Sequence, residues 1–124
     1  MDSLARAREL YEKMDFSNFA VVEKPKSYSM GLGSMHMTVV FETDEVEVLR
    51  GECDPGCKVQ PHIHQQDESI LCYSGECVVS VVGTKHHLTA GATVSVPAGA
   101  IHYTTSDAGC KVLIARHPPC RGIY

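Results

Sequence analysis

Apolar and polar residues change their rhythm once along this chain, just after Phe16. Before it, Leu4, Ala7, Tyr11 and Met14 recur at helical spacing, with Ser3 placed to cap the first turn and Arg6, Arg8, Glu9, Glu12 and Lys13 on the outside. The spacing predicts a helix over residues 3–14, the core of an N-terminal segment (1–15) that packs across one end of the remaining chain. From Phe16 onward the pattern is of short β-rich runs broken by Gly, Pro, Asp and Ser. Phe19 to Glu23 reads as a strand closed by Lys24-Pro25. Met35 to Thr43 alternates, with Met35, Met37, Val39 and Phe41 on one face and His36, Thr38, Val40 and Glu42 on the other. Val46 and Val48 mark the next strand, which ends near Arg50-Gly51 at the approach to the Asp54-Pro55-Gly56 turn. Strands are then expected around His62 and His64, from Glu68 to Tyr73 and from Cys77 to Val82. Further strands are expected from Thr93 to Val96, Ile101 to Thr105 and Lys111 to Ala115, before the Pro118-Pro119 pair ends the sheet. Turns are expected at Ser74-Gly75 and at Pro97-Ala98-Gly99. Many short strands with no internal linker predict an all-β barrel or sandwich formed by residues 16–124 as one domain.

Composition narrows the partners. The chain has 124 residues and a net charge of −4, with its lysines and arginines scattered, which argues against a phosphate-backbone partner. No window has the apolar length of a membrane span, and the N-terminus alternates charge with short apolar residues. A cytoplasmic location is therefore expected, and with it reduced thiols at the six cysteines. Cys53 and Cys57 flank the Asp54-Pro55-Gly56 turn without the second ligand pair that a structural zinc site needs.

The chemistry gathers between Gly56 and Gly75. On a strand, His62 and His64 project side by side, and Glu68 follows after a bend at Gln65-Gln66-Asp67. Two neutral imidazoles and a carboxylate suit a divalent transition metal such as iron, zinc, nickel or copper. A fourth ligand must come from another strand, and His102, just beyond the stiff Pro97-Ala98-Gly99 turn, is the best placed.

These residues carry a resemblance. Gly56, His62, His64, Glu68 and Gly75 match the first cupin motif at every defined position, and Gly91, Pro97, Gly99 and His102 match the second up to its last residue, which is Ser106 here in place of the usual Asn. The chain is similar to small single-domain cupins, and the resemblance implies a double-stranded β-helix, or jelly-roll, barrel. It further implies that His62, His64, Glu68 and His102 hold one divalent transition metal, iron by preference, with manganese, nickel, zinc or copper as alternatives. Glu68 would double as ligand and proton acceptor. The activity implied is that of a metal-dependent enzyme acting on a small organic substrate, with dioxygenase-type chemistry favoured. The alternatives are a cupin isomerase, epimerase or lyase, or a non-catalytic module that binds a small ligand. Small cupins commonly pair as homodimers, which the Met35 to Phe41 face would serve if it does more than fill the core.

His36, His86, His87 and His117 read as surface or structural histidines. Cys72 shares strand parity with Glu68 and is expected either to line the pocket or to act as a small buried hydrophobe. Tyr28, Gln60, Gln66 and Thr104 are candidate polar groups of the pocket.

Overall fold

A computed structural model describes residues 35–119 of the chain. The expected helix over 3–14, the Phe19–Glu23 strand, Tyr28 and Cys120 lie outside the described residues. Eight strands follow one another: β1 (Met35–Glu42), β2 (Glu47–Cys53), β3 (Cys57–His62), β4 (Asp67–Val81), β5 (Thr84–Thr89), β6 (Thr93–Val96), β7 (His102–Ser106) and β8 (Cys110–His117). All pairings are antiparallel, and no helix occurs among the described residues.

The long strand β4 joins the two sheets of the jelly roll. Its first half pairs with β8 and β6, its second half with β7 and β5, and the main path runs β1-β2-β8-β4-β7-β3. The expected turn at Ser74-Gly75 is instead a bend within this single strand. Its ladder with β8 slips between Cys72 and Ser74, and Gly75 takes φ +73°, so the chain crosses from one sheet to the other without ending. Gly75 has no room for a side chain, since a Cβ there would collide with the Gly109 carbonyl oxygen.

The alternation read in β1 holds for Met35, Met37 and Val39, which are buried, and for exposed His36. A bulge between Val39 and Phe41 then shifts the phase. Val40 consequently joins Val46, Val48 and Ala115 in a small second cluster, while Phe41 is only partly buried. The main core lies between the sheets and is built from Met37, Leu49, Val79, Val96, Val112 and their neighbours. Strand parity thus places apolar side chains inward along each strand, and the ends of the same strands face the barrel mouth.

At the opposite end, Cys53 and Cys57 are joined by a disulfide across the Asp54-Pro55-Gly56 turn, with Cα atoms 5.8 Å apart, a normal separation for a bridged pair. This differs from the expectation of reduced thiols. The turn brings the end of β2 beside the start of β3, with both cysteines pointing into the core.

Candidate metal centre

Four elements deliver the site. His62 is the last residue of β3 and His102 the first of β7, and the two are direct partners in that antiparallel ladder. His64 lies two residues beyond β3, off the strand, rather than on it as the sequence pattern implied. Its backbone carbonyl accepts a hydrogen bond from the Gly99 N–H at 2.9 Å, which ties the loop of His64 to the turn that precedes His102. Glu68 enters from the start of β4 and is buried.

The ring orientations are set by the backbone. His62 Nδ1 lies 2.7 Å from the Gln60 carbonyl oxygen and His102 Nδ1 lies 2.9 Å from that of Ala100, so each Nδ1–H donates to a carbonyl and Nε2 is left as the lone-pair nitrogen. The three imidazoles of His62, His64 and His102 each present a ligand nitrogen, and these atoms lie within 4.8 Å of one another. Glu68 Oε2 approaches His64 Nε2 to 2.8 Å and His102 Nε2 to 3.5 Å. All three of these atoms are buried, and none meets a partner with hydrogen-bond geometry. Converging lone pairs without protons between them are costly in a buried site, and a cation at their centre removes the cost. The donor set therefore fits a divalent metal.

Charge is organised around the same point. Behind Glu68 lies Arg116, itself buried, with Nε 4.0 Å from Glu68 Oε2 and Nη1 3.9 Å from Glu47 Oε1. Burial alone would push the Glu68 carboxyl up; the imidazoles of His102 and His64 and the Arg116 charge outweigh it and hold the group well below the usual carboxylate range. Burial pushes His62 down from its ordinary value. Burial also opposes the charged form of His102, yet contact with Glu68 carries that imidazole above its ordinary value.

A narrow cavity leads to the site, lined by His62, Glu68, His102, Thr104 and Arg116 together with apolar side chains such as Met37 and Ile70. Thr104 stands where the sequence placed it. Gln60 is exposed and contributes through its carbonyl, and Cys72 lies deeper in the core, without lining the cavity. His36 is exposed, 4.0 Å from Asp54, and His87 is exposed, 3.2 Å from Glu76, so both stand apart from the site. Ser106, which replaces the usual Asn, donates from Oγ to the Glu76 carbonyl at 2.7 Å and so makes a bond between strands at the closed end of the barrel. Sequence reading missed Arg116 and Glu47. The only local signal was a charged residue embedded in an apolar run on each of two strands, Val46-Glu47-Val48 and Ile114-Ala115-Arg116.

Comparison with known proteins agrees with this fold. A family model described as a cupin domain matches residues 49–115. Among solved structures, the chain is similar to an RmlC-like cupin from Shewanella frigidimarina NCIMB 400, with TM-score 0.74 and 21% identity over 86% of this chain and 96% of that one. It is also similar to KdgF from Halomonas sp., with TM-score 0.74 and 18% identity over 86% of this chain and 100% of that one. TT1209 from Thermus thermophilus aligns with TM-score 0.64 and 24% identity, covering 85% of this chain and 95% of that one. No curated protein matches the chain.

Proposed function

The chain belongs to the cupin family, and from that premise we propose that it is a metal-dependent enzyme acting on a small organic molecule, with oxygen-consuming, dioxygenase-type chemistry, at a centre held by His62, His64, Glu68 and His102. The observation that carries the reading is the convergence of the buried lone pairs of His64, His102 and Glu68 beside His62, with no hydrogen bond to satisfy them.

A bound divalent metal, iron by preference for this nitrogen-and-oxygen donor set, would supply Lewis acidity and open positions for substrate oxygens and dioxygen. The protein residues do the rest. The Gln60 and Ala100 carbonyls hold two of the imidazoles in the ligand tautomer. The His102 and His64 imidazoles, with the Arg116 charge behind them, keep Glu68 ionised, which suits a ligand. Met37, Ile70 and their apolar neighbours exclude water from the inner wall and favour a substrate with an apolar portion. A homodimer as the working unit is part of the same proposal.

Elemental analysis of protein purified without added metal, followed by oxygen-uptake assays, tests the reading. A stoichiometric redox metal and oxygen-dependent turnover are expected. Turnover that proceeds unchanged without air would replace the dioxygenase by an isomerase or lyase, and a metal-free protein that binds its ligand would replace the enzyme by a binding module.

A further inference from the structure

At the end of the barrel away from the metal centre the chain gathers sulfur. Cys53 and Cys57 form the disulfide, and Cys72, Cys77 and Cys110 are buried free thiols in the same core cluster. Along β8, Cys110 is six residues from Arg116, about 20 Å at a rise of about 3.4 Å per residue, and along β4 Cys72 is four residues from Glu68, about 14 Å. The proposed metal function uses none of these side chains.

Within the cluster one neighbour relation stands out. Cys53 on β2 and Cys110 on β8 are direct partners in the antiparallel ladder, so they share a face, and both are buried. Directly opposed residues have Cβ atoms about 4.5–5.5 Å apart, and a disulfide needs about 3.5–4.5 Å. Cys53 is therefore bonded to Cys57 while a second thiol, Cys110, is its directly opposed partner on β8, where opposed Cβ atoms typically lie about 1 Å farther apart than a bridge needs. Cys110 in turn contacts Cys77, which also contacts Cys72.

We infer that the closed end of the barrel is a thiol–disulfide exchange site, at which Cys53 is bridged either to Cys57 or to Cys110. In the exchange, the Cys110 thiolate attacks the Cys53 sulfur. The Cys53–Cys110 bond forms as the Cys53–Cys57 bond breaks, and Cys57 leaves as a thiolate that takes up the proton Cys110 had lost. No electrons enter or leave, so no outside oxidant or reductant is required.

The surroundings favour Cys110 as the attacking group. The neighbouring Cys77 thiol, against the opposing effect of burial, holds Cys110 below its ordinary value, while Cys77 itself is pushed up by the same contact. The Ser106 hydroxyl gives its one proton to the Glu76 carbonyl, so the help comes from Cys77. The two bridged forms differ mechanically. The Cys53–Cys57 bond spans only the turn, whereas a Cys53–Cys110 bond staples β2 to β8, the pair of strands that also carries Glu47 and Arg116 at the metal end.

The test is disulfide mapping. The full wild-type chain is purified without reductant, held at neutral pH without air, quenched in acid, alkylated and mapped by mass spectrometry. Both bridges are expected, with Cys53–Cys110 in roughly a tenth of the chains or more. Cys110→Ser should lose that peptide and keep Cys53–Cys57. Cys57→Ser treated with oxidised glutathione should yield Cys53–Cys110 as its main bridge, its fold checked by circular dichroism. Wild-type protein with no Cys53–Cys110 peptide overturns the inference, as does folded Cys57→Ser protein that keeps Cys53 as a glutathione adduct beside a free Cys110. If Cys57→Ser does not fold, the wild-type map decides alone.

Discussion

Two glycines of the first motif do different work, and the difference can be measured. Gly56 and Gly75 both hold positive φ, +81° and +73°, but a Cβ on Gly56 would meet nothing within 4 Å. Gly56→Ala should therefore cost only the left-handed strain of an L-residue, about 1–2 kcal/mol. At Gly75 the Cβ would also collide with the Gly109 carbonyl and approach the Cys110 Cα to 3.0 Å, at the point where β4 bends from one sheet to the other. Gly75→Ala should cost about 3 kcal/mol or more. Urea denaturation of the two variants gives the comparison, and equal losses would contradict it. Among the histidines, His102→Ala removes a buried nitrogen whose orientation the Ala100 carbonyl fixes. It should weaken metal binding by more than the ~10–100-fold typical of losing a supporting group. His36→Ala, at an exposed position on β1, should leave metal content unchanged in the same elemental analysis.

At the scale of elements, the site depends on how two loops are fastened together. Asp67 Oδ1 accepts the Ala98 N–H at 2.8 Å, and the His64 carbonyl accepts the Gly99 N–H at 2.9 Å, so the turn before His102 is held to the segment that carries His64 and Glu68. Asp67→Ala removes one of these ties at a half-buried position. It should lower stability by about 1 kcal/mol and metal affinity by about tenfold, measured by denaturation and by competition with a chelator; unchanged affinity would show that the His64 tie suffices. The elements themselves were largely legible in the sequence, because alternation and turn residues are local signals. Phe41 and Ser74-Gly75 were misread because a bulge reverses strand phase without marking the sequence, and because a glycine at positive φ serves a bend as well as a turn. The convergence of His62, His64 and His102 beside Glu68 was legible because histidine spacing and the turn before His102 are also local. Glu47 and Arg116 were not, because they meet only through the β2–β8 register, which no local pattern states.

For the whole molecule, metal and protons compete for one set of groups. The His102 value is raised in the folded state above the ordinary 6.5, so its contribution to the stability of the metal-free chain is full below 6.5 and is lost as pH rises through the folded value. Glu68 is the reverse case. Its value is lowered from the ordinary 4.5, so its contribution is present above 4.5 and is lost as pH falls through the depressed folded value. The metal-free protein should therefore be most stable in mildly acidic solution, between these two limits. A metal ion requires His102 deprotonated, so its binding releases a proton over the range in which His102 is charged, whereas His62, held low by burial, does not oppose it there. At a metal concentration of about 100 times Kd the bound ion adds about 2.7 kcal/mol, which for a domain of this size raises Tm by about 10 °C. With total metal held constant, the increment should be larger at about pH 8 than at about pH 6, because proton competition has been removed. Chelator-treated and metal-loaded samples compared by calorimetry at the two pH values supply the test. An increment that is equal at both, or larger in acid, would mean that His102 is not a ligand of the ion that stabilises the fold.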